Sequence, residues 1–254
     1  MQKTNENEIT DSENELFIGR NAVTELLKSG RTVDRIFVSR QGDSLLAKIK
    51  ASARRKGVPV IETDTRKLDT MSGHSVHQGV IAVASATDYL TAEALFELTE
   101  SRGEKPFYII CDSINDPHNL GAIIRSACCA GANGIIIPKR HSASVNGTVA
   151  KASAGTVFSM PIARVSNLVS AIRFLKEKGV WIWALDADGK PYYEQDFRGA
   201  CALVLGNEGD GVSELIRKES DFTAGIPMYG TVDSLNVSAA GAIVMFEAAR
   251  QRNS

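Results

Sequence analysis

Much that would assign a chain quickly is missing from this one. The four cysteines, Cys111, Cys128, Cys129 and Cys201, show no C-x-x-C spacing. Neither a zinc site nor a disulfide framework is signalled, and they read as small core residues of a reducing compartment. His74 and His77 have no companion ligands at metal spacing, so no metal is expected. No uninterrupted apolar run approaches the ~20 residues a membrane span needs, and the opening MQKTNENEIT lacks an apolar core for a signal peptide. A cytoplasmic protein without a membrane partner is expected. Charge of one sign is missing too: 29 Lys and Arg against 30 Asp and Glu leave a net charge of −1, whereas phosphate binding usually leaves a basic excess. There is no G-x-S-x-G elbow or Ser-His-Asp order for a hydrolase.

What is present is unevenly distributed. The first 15 residues hold Glu6, Glu8, Asp11, Glu13 and Glu15 against Lys3. They read as an acidic, disordered tail with too little apolar surface to order itself, and they mask a mildly basic remainder. Lys48, Lys50, Arg54, Arg55, Lys56, Arg66 and Lys67 cluster around Glu62 and Asp64; both a solvated helix face and an RNA contact fit that pattern. At 254 residues and 43% hydrophobic composition the chain can bury two cores. Helix and strand patterns alternate over 16–86 and again over 105–254, with a polar connection at 87–104 that holds a short helix near 91–101. Runs such as FYIIC and ALVLG are apolar throughout, as in a parallel sheet covered by helices on both faces. An α/β protein of two domains is expected, the second with a mostly parallel sheet.

Three runs lie where strands hand over to loops or helices: NLGAIIR (119–125), LVLGNEGDG (203–211) and IPMYGTVDSLNVS (226–238). Asn119 precedes an apolar helical pattern and occupies an N-cap position, which alone would explain it. Arg125 stands on a helix otherwise without charge, where a guanidinium must find an anion or solvent. Together they suggest an anion, or an incipient oxyanion, near the start of that helix. The glycines around Glu208 follow neither the dinucleotide nor the P-loop order, which leaves a plain turn or a place where the backbone approaches another molecule. Ser234 and Asn236 stand at the mouth of the last helix, where either a cap or a site residue fits. Val237, Ala240, Gly241, Val244 and Ala248 form a stripe that reads as core.

These three motifs, in order and correctly separated, closely resemble those of the SpoU/TrmH family of RNA 2′-O-methyltransferases. GRNAVTELLKSGR (19–31) and HQGVIA (77–82) resemble the amino-terminal substrate-binding domain of the bacterial branch that methylates a guanosine in 23S ribosomal RNA. The resemblance implies an L30e-like first domain, a trefoil-knotted methyltransferase domain over 105–254, and a homodimer with composite sites. It implies S-adenosylmethionine as cofactor, held by main-chain atoms around Gly206, Ile226 and Leu235. It implies Arg125, Asn119, Glu208, Ser234 and Asn236 as catalytic residues. A guanidinium pKa above about 12 makes Arg125 a poor literal base. Arg125 is better suited to binding an RNA phosphate and stabilising the 2′-oxyanion, with Glu208 holding Arg125 or its partners. A tRNA ribose methyltransferase, and a non-catalytic ribosome-assembly factor on the same scaffold, are the alternatives. A nucleotide-binding oxidoreductase lacks its phosphate fingerprint.

Overall fold

A computed structural model describes residues 14–85 and 89–254, so most of the segment read as an acidic tail lies outside the described residues. The chain forms two compact units, one on each side of residue 87.

The first unit is a four-stranded sheet in the order β1 (Asn14–Ile18), β4 (Val80–Ser85), β2 (Val33–Ser39), β3 (Val60–Thr63). β4 runs antiparallel to β1 and β2, while β2 and β3 are parallel. α1 (Arg20–Lys28) buries Ala22, Val23, Leu26 and Leu27, a helical stripe. α2 (Ser44–Arg55) and α3 (Thr65–Met71) start at Asp43 and Asp64, whose carboxylates accept the orphan amides of Leu45, Leu46 and Lys67. β1 was not expected; it begins inside the segment read as tail, and its Phe17 is fully buried. The runs 19–31 and 77–82 meet in one corner. Gly19 N–H donates to the Val80 carbonyl at 3.1 Å. Arg20 donates from Nε to the Gln78 carbonyl at 2.9 Å and pairs with Asp43 at 2.8 Å. His77 is structural: its Nε2 meets Asp69 Oδ1 at 3.0 Å and its Nδ1 accepts the Gly79 N–H at 2.9 Å.

The second unit is a six-stranded sheet ordered β10 (Phe222–Gly225), β8 (Trp181–Pro191), β9 (Cys201–Leu205), β5 (Phe107–Cys111), β6 (Gly134–Pro138), β7 (Ile162–Val165). Every pairing is parallel. All five residues of β5 and of β9 are buried, as unbroken apolar strands under helices on both faces should be. The stretch 87–104, read as a connection holding a short helix near 91–101, carries α4 (Ala92–Ser101), whose Ala92, Leu95 and Phe96 belong to this unit's core. Around the sheet lie α5 (Pro117–Cys129), α6 (Gly147–Ala152), α7 (Leu168–Glu177), α8 (Glu214–Glu219) and α9 (Val237–Arg252).

Strands β5, β6 and β7 step outward in one direction. The chain then crosses to the other side for β8, β9 and β10, which makes β5 and β9 the neighbours at which strand order reverses. Ligands of open parallel sheets bind beyond the carboxyl ends of the strands at such a point. The segments that follow β5, β9 and β10 are the three motifs.

Candidate active site

The first motif opens α5. The cap is Asp116 and not Asn119, correcting the sequence reading: the Asp116 carboxylate accepts the His118 N–H at 2.8 Å, with Pro117 in the first helical turn. Asn119 is thereby carried inside the helix, where it is only 7% exposed and its side chain is free to act elsewhere. Gly121 has a packing reason, since a Cβ there would lie 2.4 Å from the Ala152 Cβ and 2.9 Å from the Val149 carbonyl; α5 and α6 touch backbone to backbone.

The second motif is a turn closed on itself. Asn207 and Gly211 exchange both main-chain hydrogen bonds at 2.9 Å. The Asn207 side chain spans the turn, donating to the Ser113 carbonyl at 3.0 Å and accepting the Gly209 N–H at 2.8 Å. Asp112, buried at the end of β5, accepts the Ser213 N–H at 2.8 Å. A Cβ on Gly206 would lie 2.0 Å from the Gly211 carbonyl carbon, so this glycine admits the chain's own backbone. Asn207 and Asp112 fix Glu208 in space and were not singled out from the sequence; the one signal was an acid ending the otherwise apolar strand run FYIICD.

The third motif leaves β10 and ends at α9. Asn236, not Ser234, is the cap: its Oδ1 accepts from Ser238 N–H at 3.0 Å and Ser238 Oγ at 2.6 Å. That leaves the Asn236 amide group pointing back at the other two motifs. Asn236 Nδ2 donates to Asn119 Oδ1 at 3.0 Å and approaches Glu208 Oε1 at 3.4 Å, while Asn119 Nδ2 donates to the same Glu208 oxygen. Three side chains, 89 and 28 residues apart along the chain, thus form one hydrogen-bonded triangle. A cavity of about 320 Å³ opens beside it, lined by Ser113, Asn115, Asn119, Asn207, Glu208 and Val237.

A second cavity, of about 130 Å³, lies at the third motif and the end of β8. Its walls include Leu185, Asp186, Ile226, Ser234, Leu235 and Ala240. Its lining is mainly apolar, and among the described residues no main-chain group of 226–235 has a hydrogen-bond partner on the chain's own backbone. Apolar walls plus free main-chain donors and acceptors suit an adenosine joined to a polar amino-acid tail. Ile226, Ser234 and Leu235 fall at this cavity; Gly206 does not line it and is buried against Gly211 and Val212.

Arg125 is placed apart. Six residues beyond Asn119 it lies about 9 Å along the helix and roughly 240° around it, on an exposed face of α5. Glu208 therefore holds Asn119 and Asn236, and of the two options in the sequence reading, Arg125 itself or its partners, the first does not occur. The cysteines also divide. Cys111 and Cys201 are buried, with burial pushing their thiols up to about 12 and about 11. Cys128 is half-buried and Cys129 exposed on α5, which corrects their reading as core residues. Among the described residues no cluster of His, Cys, Asp or Glu could hold a metal ion, and no helix is long and apolar enough to cross a membrane.

An open parallel sheet with three turns converging on a cleft beside a cofactor-sized cavity defines a group-transfer α/β enzyme class. Residues 106–246 match the model of the SpoU rRNA methylase family, and residues 16–90 match that of the RNA 2′-O ribose methyltransferase substrate-binding domain. The chain belongs to the SpoU rRNA methylase family. It is 40% identical to the 23S rRNA (guanosine-2′-O-)-methyltransferase RlmB of Xanthomonas campestris, over 94% of this chain and 98% of that protein. It is 39% identical to YacO of Bacillus subtilis, named as a TrmH family tRNA/rRNA methyltransferase, over 93% of this chain and 95% of that one. Among solved structures, the SpoU methyltransferase AviRb of Streptomyces viridochromogenes in complex with S-adenosylmethionine superposes with a TM-score of 0.81 at 25% identity, covering 98% of this chain and 95% of that one. The S-adenosylmethionine-bound rRNA methyltransferase of Sinorhizobium meliloti gives 0.77 at 28% identity, covering 94% and 87%.

Proposed function

We propose that this protein is a cytoplasmic homodimer that methylates the ribose 2′-hydroxyl of a guanosine in 23S ribosomal RNA, using S-adenosylmethionine. The observation that carries the proposal is the triangle of Asn119, Glu208 and Asn236 standing next to the cavity bounded by Ile226, Ser234 and Leu235. Ser234 and Leu235 line one cavity and Val237 the other, so a donor in the first and a ribose in the second are served by one short segment. S-adenosylmethionine, when bound, supplies a methyl group on a sulfonium.

Ile226 and Leu235 grip the apolar part of the cofactor, and the free main-chain groups of 226–235 bind its polar edges. Glu208 fixes both carboxamides by accepting from them, which leaves Ser234 and the open face of Asn119 to orient the ribose. In-line transfer needs an approach near 3 Å and good alignment, and this rigid network supplies that alignment. Arg125, exposed and permanently charged, binds the neighbouring phosphate and stabilises the oxygen as its proton leaves to water or phosphate.

The homodimer completes the site. α9 is apolar around most of its circumference: Gly241, Val244, Met245 and Ala248 are buried, yet Ile243 and Phe246 face outward. An apolar outer face of this kind fits an interface. α9 packs on α5, the helix bearing Arg125, so a partner seated on α9 brings its cleft toward the exposed face of α5. The knotted passage of the chain belongs to the same reading. The test is incorporation of labelled methyl into purified 23S rRNA, followed by mapping of the 2′-O-methyl position. Transfer to tRNA alone would replace the ribosomal substrate, and RNA binding with no transfer would leave the assembly-factor reading.

A further inference from the structure

β8 does not run straight to its end. β10 pairs with it at Phe222–Trp183 and Thr223–Ala184, then jumps to Ala224–Lys190 and Gly225–Pro191. The pairing skips the intervening Leu185–Gly189, which form a bow whose backbone packs on Gly225, and Leu185, Asp186 and Ala187 of that bow form a wall of the 130 Å³ cavity. A bowed segment without ladder bonds needs another restraint. One side of it has main-chain packing, since a Cβ on Gly189 would lie 2.5 Å from the Ala224 carbonyl carbon. The other side has Arg217. From α8, its Nη1 donates to Asp186 Oδ2 at 3.1 Å and its Nη2 to Asp188 Oδ1 at 2.6 Å, one guanidinium bridging alternate residues of the bow. α8 begins at Ser213, tied to Asp112 at the end of the Glu208 turn.

We infer that Arg217, with Asp186 and Asp188, is a positioning clamp that sets the width of the cofactor cavity and couples it to the turn that carries Glu208. The inference rests on the reading of that cavity as the S-adenosylmethionine site. Without the fork the bow relaxes toward solvent, and the wall that Leu185 and Ala187 present to the cofactor is lost. Lysine at 217 reaches one carboxylate but cannot bridge two, because its ammonium is a single point charge on a flexible stem.

The test is calorimetric titration of the full chain with S-adenosylmethionine, together with steady-state methylation of 23S rRNA. Arg217→Gln is expected to raise the cofactor Kd about tenfold and its KM in parallel, with the KM for RNA unchanged and kcat at saturating cofactor within about twofold. Arg217→Lys is expected to fall between. Asp188→Asn, on the more exposed carboxylate, is expected to raise Kd in the same direction, and combined with Arg217→Gln to add little, since the glutamine variant already lacks the Arg217–Asp188 contact. Wild-type Kd in Arg217→Gln, or in Arg217→Lys and Asp188→Asn should the glutamine variant not fold, overturns the clamp. Equal loss of RNA and cofactor affinity overturns it too, in favour of a merely structural role. A wild-type chain that binds no S-adenosylmethionine instead overturns the reading of the cavity, an outcome visible before any variant is made.

Discussion

Replacing Glu208 by alanine separates structure from chemistry in the triangle. Asn119 is almost completely buried, its carbonyl oxygen engaged by Asn236 and its amide by Glu208. Removing the carboxylate leaves that amide without an acceptor in a place water reaches poorly, a loss of about 1–3 kcal/mol. Hydrogen bonds to an ionised acceptor are roughly twice as strong as neutral ones, so Glu208→Gln should cost roughly half as much. In a domain of this size each kcal/mol moves the unfolding midpoint by roughly 2–4 °C. The assay can be confined to the second unit because both tryptophans, Trp181 and Trp183, belong to β8, so tryptophan fluorescence in urea and on heating reports that unit. Asn119→Ala combined with Glu208→Ala should cost less than the sum of the two, because they share one bond. An alanine variant as stable as wild type, with additive double-mutant behaviour, would refute the claim that Glu208 satisfies Asn119. Methyl transfer should fall by a larger factor than stability accounts for.

Four further outcomes are expected. Arg125→Ala should abolish turnover with cofactor affinity and unfolding midpoint unchanged, as befits an exposed side chain; Arg125→Lys should recover little, and near-normal single-turnover rates in it would remove the bidentate phosphate role. Gly206→Ala places a Cβ 2.0 Å from backbone and should destabilise the second unit by about 3 kcal/mol or more, at the upper end of overpacking costs, read in the same urea titration. Phe246→Glu should shift the protein from dimer to monomer in sedimentation velocity, with activity lost in step. A thiol reagent at pH 8 should label Cys129 quickly while Cys111 and Cys201 react only on unfolding, because burial holds the latter two thiols far above that pH; mass spectrometry of the labelled chain decides.

Element order was largely visible in the letters because periodicity and caps agree: Asp43, Asp64, Thr91, Asn146 and Asn167 each start a helix with a side-chain hydrogen bond. Where two cap candidates stood close together the choice was not legible. Asp116 won over Asn119, and Asn236 over Ser234, because long-range contacts decided which side chain was spare. β1 was lost in acidic composition. The second half of β8 could not be foreseen, since Asp186, Asp188 and Gly189 look like a loop and are held only by Arg217 and by β10. For the site, motif letters located every member of the triangle but not its wiring: hydrogen bonds between residues so distant in sequence leave no spacing rule. The isolation of Arg125 from the triangle follows from helical geometry, which places positions 119 and 125 on different faces.

Asn236 serves twice, as the first anchor of α9 and as a corner of the triangle. During synthesis Asn119 emerges first, then Glu208, and only afterwards Asn236, which bonds to both. A nascent chain lacking that last corner carries an unfinished cleft, so assembly of the catalytic centre is timed to the docking of α9.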